Sequence, residues 1–318
     1  MNRACASAAP RRTRAGMAKG SFHGIYPMLY TFFDRAGGID RTAMKRQVDA
    51  CIAAGAHGIA ILGIVGEYNK MDVRERRRVL EIVADDVAGR VPLAVTVPEP
   101  SIAGQIEFVR AAEAAGAAWT ILQPPPVKGV PEAELVRFFG AVAEKAAAPV
   151  GIQNNPVNLD VWLTNAGLKT LNRNHGNVWL LKGEGPVTAV QRTIEETEGA
   201  YDVFCGLAGK EMPMSLRAGC VGCVPAPDCI DLQVRLYDLM RRATSQAEAE
   251  AEAIHKSILP LLHYMTHSPE HMLCYGKRFM ARRLGLAEIH ARQPALAPTP
   301  FGERVAQHHG QDMGVLPV

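Results

Sequence analysis

From residue 24 onward, short apolar runs alternate with stretches whose apolar residues recur at helical spacing. The runs that read as strands cover residues 24–33, 58–64, 93–97, 119–123, 150–154, 178–182, 202–206 and 221–226. Between and after them, residues 40–54, 72–87, 101–115, 132–146, 187–196 and 230–243 read as amphipathic helices. Asp72 with Glu75 three residues later, and Ser101, sit where helix N-caps belong, and Gly55 and Gly116 where helices end. Strands that alternate with helices predict a parallel sheet, and eight such units close into a (β/α)8 barrel of the TIM type. Two further helices over residues 246–266 and 269–284 would follow. The chain then divides into a disordered tail at 1–21, a barrel at 22–243 and a C-terminal helical extension and tail at 244–318. A doubly wound open sheet is the rival. Its phosphate-binding G-x-G-x-x-G is missing, since Gly63-Ile64-Val65-Gly66 carries only part of that spacing.

Composition fits this picture and narrows the partners. The chain has 318 residues, 48% of them hydrophobic, enough for a large core, and its net charge of +3 is small and interspersed. Neither nucleic acid nor a membrane surface is expected as the main partner. The densest basic stretch, Arg74-Glu75-Arg76-Arg77-Arg78, runs into Val79, Leu80 and Ile82 and reads as the solvated face of a helix. Seven cysteines scattered over a long chain are no disulfide framework, so a reducing, cytoplasmic setting is expected. Cys220 and Cys223 form one C-x-x-C without a second pair, and they read as small apolar residues rather than a zinc site. His57, His255, His263, His267 and His271 do not converge on the strand ends, so no metal is expected. No apolar run reaches the ~20 residues that span a bilayer. The first 20 residues carry Arg11, Arg12 and Arg14 without an apolar stretch of signal-peptide type, and Met17 offers an alternative start.

The candidate chemistry lies in Val178-Trp179-Leu180-Leu181-Lys182-Gly183-Glu184-Gly185, a buried strand that breaks into a glycine loop. Burying an ammonium removes it from water and favours the free amine, which can attack a carbonyl to form a Schiff base. Strand side chains alternate faces, so Lys182 and Glu184 project to the same side. A nucleophile and a proton carrier would share one cavity. The bland alternative is a strand-end lysine reaching solvent beside a solvated glutamate. In a barrel, active sites form at the C-terminal ends of the strands. Lys182, Glu184, Gln153, Asn155 and the loop from Gly63 to Glu67 all fall there.

These residues resemble the dihydrodipicolinate synthase and N-acetylneuraminate lyase superfamily of Schiff-base barrels, over about residues 22–290. The resemblance rests on Gly24-Ile25-Tyr26-Pro27, Gly63-Ile64-Val65-Gly66-Glu67, Asn154-Asn155-Pro156, Lys182 and Gly222. It implies that Lys182 forms the imine with a 2-oxo acid and that the loop after the second strand holds the substrate carboxylate. Several positions depart from the superfamily's pattern. Gln153 stands where a relay tyrosine is usual, Ile64 and Val65 replace two hydroxyl residues, and Pro124-Pro125-Pro126 covers the second relay tyrosine's place. Asn158 stands where the synthases carry an arginine for their second substrate, which argues against dihydrodipicolinate synthesis. Only backbone N–H groups of Ile64, Val65 and Gly66 remain for the carboxylate, with Gly206 expected to contact substrate beside them.

Lys182-Gly183-Glu184-Gly185-Pro186 with a glutamine in the tyrosine's place is similar to the branch of L-2-keto-3-deoxyarabonate dehydratases. That likeness implies a dehydratase of L-arabinose breakdown that makes 2-oxoglutarate semialdehyde and water, in which Glu184 carries protons and Gln153 and Asn155 position water or a substrate hydroxyl. It implies no cofactor, because the imine polarises the substrate, and a homo-oligomer, a tetramer. A pyruvate-dependent class I aldolase and a non-catalytic 2-oxo acid binding protein are the alternatives.

Overall fold

The computed structural model describes residues 17–317, so the tail expected at 1–21 lies largely outside the described residues. Eight parallel strands run in the order β1 (Gly24–Ile25), β8 (Gly222–Cys223), β7 (Asp202–Cys205), β6 (Val178–Gly183), β5 (Val150–Asn154), β4 (Trp119–Leu122), β3 (Leu93–Val97) and β2 (Ile59–Ile61). The two ends of this order meet. Met28 bridges Ala60 in parallel, and the Ala60 N–H donates to the Pro27 carbonyl at 3.0 Å, so the sheet closes into the expected barrel.

Around it lie α1 (Arg41–Ala53), α2 (Val73–Val87), α3 (Ile102–Ala114), α4 (Glu132–Ala143), α5 (Asn165–Asn174), α6 (Val187–Glu196), α7 (Met212–Arg217) and α8 (Ile230–Arg241). Asp72 and Glu75 form a reciprocal capping box on α2, and Ser101 caps α3. Gly55 and Gly116 adopt the left-handed conformation that ends a helix. After the barrel come α9 (Ser245–Met265), α10 (Pro269–His271), a π-helical turn (Met272–Gly276), α11 (Lys277–Arg283) and α12 (Pro300–His309). None of the described helices is long and apolar enough to cross a membrane.

The outer strands are shorter than their apolar runs. The first run breaks after Ile25 because Pro27 has no N–H to give to a ladder, although its carbonyl still accepts from Ala60. The second run leaves the sheet at Leu62, whose φ of 62° turns the chain into the following loop. At the closure, β8 presses so near β1 that a Cβ on Gly222 would stand 2.0 Å from the Gly24 carbonyl oxygen. Only glycine fits there.

Two apolar layers result. One joins the helices to the outside of the barrel. The other fills the barrel's interior with Phe22, Tyr26, Trp119, Trp179, Leu180 and Phe204 against small residues such as Ala60 and Ala94. The rings interlock, with Trp119 stacked on Phe204 at 5.5 Å and Tyr26 edge-on to Phe204 at 5.2 Å. This floor excludes water from below, and the polar residues gather above it. Cys220 and Cys223 are buried free thiols, as their small apolar character implied. Among the described residues no group of three or more His, Cys, Asp or Glu side chains is arranged to hold a metal. The Arg74–Arg78 face is only partly solvated: Arg76 reaches inward to Glu99 at 2.8 Å.

Candidate active site

A β-bulge sets the phase of the sixth strand. Val178 pairs with Val150, but Leu180, not Trp179, pairs with Gly151, so Trp179 and Leu180 both enter the barrel interior. From there alternation resumes, with Leu181 in the outer layer and Lys182 facing in. Without the extra residue Lys182 would point at the helices. Glu184, two residues on, faces the same way, and its carboxylate Oε2 lies 2.9 Å from Lys182 Nζ. Both side chains are only 8% exposed.

The pair is held from behind. Gln153, the cross-strand partner of Lys182, donates from Nε2 to Glu184 Oε2 at 3.0 Å, and Asn155 Nδ2 donates to the same oxygen at 2.5 Å. Gln153 is itself fixed by Gln123, which donates to its amide oxygen at 3.3 Å, and Gln123's carbonyl accepts from Gln105 at 2.8 Å. Asn155 is fixed by the backbone N–H groups of Val157 and Asn158, which donate to its amide oxygen at 3.2 and 3.0 Å. Amides do not titrate near neutral pH, so this frame orients the carboxylate without competing for its proton. Glu184 Oε2 thus takes three donors, whereas Oε1 receives only a long contact from the Leu207 N–H at 3.4 Å. One oxygen anchors the side chain and the other is left for chemistry.

Gly206 makes room for this arrangement. A Cβ there would stand 2.2 Å from Glu184 Oε1 and 2.3 Å from its Cγ. Only a movement of the whole Glu184 side chain, against the amides that hold it, could relieve such a clash.

Above the pair opens a cavity of about 370 Å³. Met28, Ile64, Val65, Leu207, Val224 and Met272 form apolar walls, Lys182 and Glu184 the inner end, and Asn158, Lys210, Thr266, His267 and Ser268 supply polar groups. That volume suits a small molecule. A larger groove of about 610 Å³ lies elsewhere, between α3 and α4 among Ile102, Val127, Val130 and Phe138, and holds none of the expected site residues.

The expected site residues therefore separate into three places. Lys182, Glu184, Ile64 and Val65 line the cavity. Gln153, Asn155 and Gly206 lie behind Glu184 and act on its position. Gly66 is buried away from the cavity, its N–H donating to the Gly63 carbonyl at 2.9 Å and its carbonyl accepting from Thr31 Oγ1 at 2.7 Å. The backbone N–H groups of Ile64 and Val65 meet no acceptor among the described residues.

Two residues, Lys277 and Lys210, escaped the sequence reading, and a third, His267, was expected away from the strand ends but lines the cavity. Lys277 on α11 reaches Glu67 at 2.6 Å and ties the loop after the second strand to the C-terminal helices. It is the first residue of α11, between Gly276 and Arg278, and no local pattern marks it. Lys210 and His267 enter the cavity from a turn and a helix end whose direction no periodicity encodes.

Residues 21–301 match the family described as the dihydrodipicolinate synthetase family. The 4-hydroxy-tetrahydrodipicolinate synthase of Methanopyrus kandleri is 28% identical over 242 residues, which cover 75% of this chain and 79% of that protein. YagE of Escherichia coli K12, which carries a provisional designation as 2-dehydro-3-deoxy-D-gluconate aldolase, is 28% identical over 243 residues, covering 76% and 80%. A solved structure of YagE in complex with pyruvate superposes with a TM-score of 0.80 at 23% identity, covering 92% of this chain and 99% of that one. The Thermotoga maritima dihydrodipicolinate synthase gives 0.84 at 19% identity, over 93% and 99%. At such identities the structural matches speak for the fold alone.

Proposed function

The chain belongs to the dihydrodipicolinate synthetase family, a Schiff-base lyase of that superfamily, and from that premise we propose that it is a dehydratase converting L-2-keto-3-deoxyarabonate to 2-oxoglutarate semialdehyde and water. One observation carries the reading: the carboxylate of Glu184, 2.9 Å from Lys182 Nζ, with one oxygen anchored by two amides and the other nearly free. An imine-forming lysine with a carboxylate at its side has both groups that an elimination next to a carbonyl needs.

In this reading the Lys182 amine attacks the C2 carbonyl and expels water, and the iminium draws electrons from C3. Glu184 removes a C3 proton to give the enamine. The same carboxyl group returns that proton to the C4 hydroxyl, which leaves as water, so no net proton is consumed. Loss of a C5 proton gives a dienamine enol; protonation at C4 with loss of the C5 hydroxyl proton, protonation at C3 and hydrolysis of the imine then release the semialdehyde and free Lys182. Ile64 and Val65 offer two backbone N–H groups to the substrate carboxylate, while Gln153 and Asn155 keep Glu184 in reach of C3 and the C4 oxygen. The subunits assemble as a homo-oligomer in the cytoplasm in this proposal, and the barrel needs no cofactor.

Incubating the protein with L-2-keto-3-deoxyarabonate and identifying the product by mass spectrometry tests the reading. The expected product is 18 mass units lighter than the substrate, the loss of one water. Release of free pyruvate instead would assign a class I aldolase, the reading favoured by the similarity to YagE. Cleavage of C3–C4 uses the same imine, with Glu184 taking the C4 hydroxyl proton. Binding without either product would leave a 2-oxo acid binding protein.

A further inference from the structure

The charged side chains that line the cavity are Lys182, Glu184 and Lys210. Lys182 is matched by Glu184 at 2.9 Å, which leaves Lys210 as the uncompensated charge. No carboxylate of the described residues pairs with it: the adjacent Glu211 is turned away, accepting the Val187 N–H at 3.0 Å. The cavity therefore carries one net positive charge at its wall.

The backbone before Lys210 is built to aim it. Leu207, Ala208 and Gly209 follow the seventh strand with φ of 50°, 57° and 77°, and two of these are residues for which the left-handed region is costly. The turn is pinned at both sides. Buried Gln233 donates from Nε2 to the Ala208 carbonyl at 2.9 Å, and the Lys210 N–H donates to the Leu207 carbonyl at 3.2 Å. Such a turn persists only where its surroundings over-determine it, and its effect is to bring Lys210 to the cavity next to Leu207 and Ala208.

Resting on the Schiff-base reading of Lys182, we propose that Lys210 is the specificity-determining residue for the substrate's negative charge, its ammonium pairing with a carboxylate of the 2-oxo acid held at Lys182. A half-buried lysine at the wall of a cavity with apolar sides gains most from an anion. The two backbone N–H groups of Ile64 and Val65 supply hydrogen bonds but no full charge, so Lys210 provides what they lack.

Borohydride trapping at Lys182 tests this, with pyruvate, 2-oxoglutarate and methyl pyruvate as probes of the wild type, Lys210→Gln and Lys210→Arg. The loss of one charge-assisted contact raises the half-trapping concentration by roughly tenfold or more in Lys210→Gln, and arginine restores it. A deficit with pyruvate assigns Lys210 to the carboxylate beside the carbonyl, and a deficit confined to 2-oxoglutarate assigns it to a distal carboxylate. Methyl pyruvate, which carries no charge, is trapped equally by all three proteins and reports intact folding and imine chemistry. Equal trapping of both acids by wild type and Lys210→Gln overturns the proposal, as does a matching loss with the ester. Failure of the wild type to trap any probe would instead remove the Schiff-base reading beneath it.

Discussion

Two buried lysine–glutamate pairs lie beyond the C-terminal ends of the barrel strands, and they differ in what they face. Lys182 and Glu184 face a cavity, and one carboxylate oxygen is left nearly free. Glu67 is saturated: Lys277 meets one oxygen at 2.6 Å, Lys70 the other at 3.3 Å, and Lys277 also stands 4.7 Å from the Phe33 ring. Burial pulls the Lys277 ammonium below the usual lysine range, and only the Glu67 charge opposes that pull. A buried pair is thus no sign of chemistry by itself. What separates reactant from rivet is whether an atom of the pair still faces open space.

The comparison breaks first at the lysines. Lys182→Ala should abolish borohydride trapping of a 2-oxo acid completely, whereas Lys277→Met should leave trapping in place. The second variant should instead lose about 2–3 kcal/mol of stability in urea unfolding, because buried Glu67 loses its shorter ion pair and keeps only Lys70 at 3.3 Å. Trapping by Lys182→Ala, or an unchanged unfolding midpoint for Lys277→Met, would erase the distinction. Adding Glu67→Gln to Lys277→Met should recover part of the loss.

A third buried acid sharpens the contrast because no cation pairs directly with its carboxyl group, although the charge of Arg283 lies near. Asp228 accepts from the Tyr30 hydroxyl at 3.0 and 3.1 Å, and burial raises its pKa to about 7. A folded value above the unfolded one of 3.8 means that the native state holds the proton more tightly. The contribution is fully present below about pH 4 and is lost as the pH rises through 7, on the order of 4 kcal/mol over that window. Asp228→Asn should flatten this part of the pH dependence of stability. An unchanged slope would mean that Asp228 is ionised in the fold.

Within the reactive pair, Glu184→Gln should retain imine trapping and lose turnover by about a hundredfold, the usual scale for a general acid–base. The glutamine oxygen can still accept from Gln153 and Asn155, so the frame should survive. Normal turnover would strip Glu184 of its role. This part of the molecule was largely legible in the sequence, since period-2 alternation places Lys182 and Glu184 on one face and strand–helix alternation places that face on the barrel's rim. The bulge at Trp179, which decides that the shared face is the inner one, was not legible, because a bulge inside a wholly apolar run leaves no trace in its pattern. Lys277 and Lys210 were hidden for a related reason: both reach their partners through tertiary contacts, which local periodicity does not encode. Pro27 could have been read as a strand end, and it did shorten the first run.

The smallest change is the one that tests positioning alone. Gly206→Ala adds a single methyl group 2.2 Å from Glu184 Oε1 and removes no titratable group. The carboxylate must swing away from C3 and the C4 oxygen while Lys182 keeps its strand position. Turnover should fall by roughly tenfold, with imine trapping close to wild type, because a misplaced proton carrier slows transfer without blocking capture. A Gly206→Ala enzyme with full turnover would show that Glu184 needs no exact placement, and the open pair would then differ from the sealed one in exposure only.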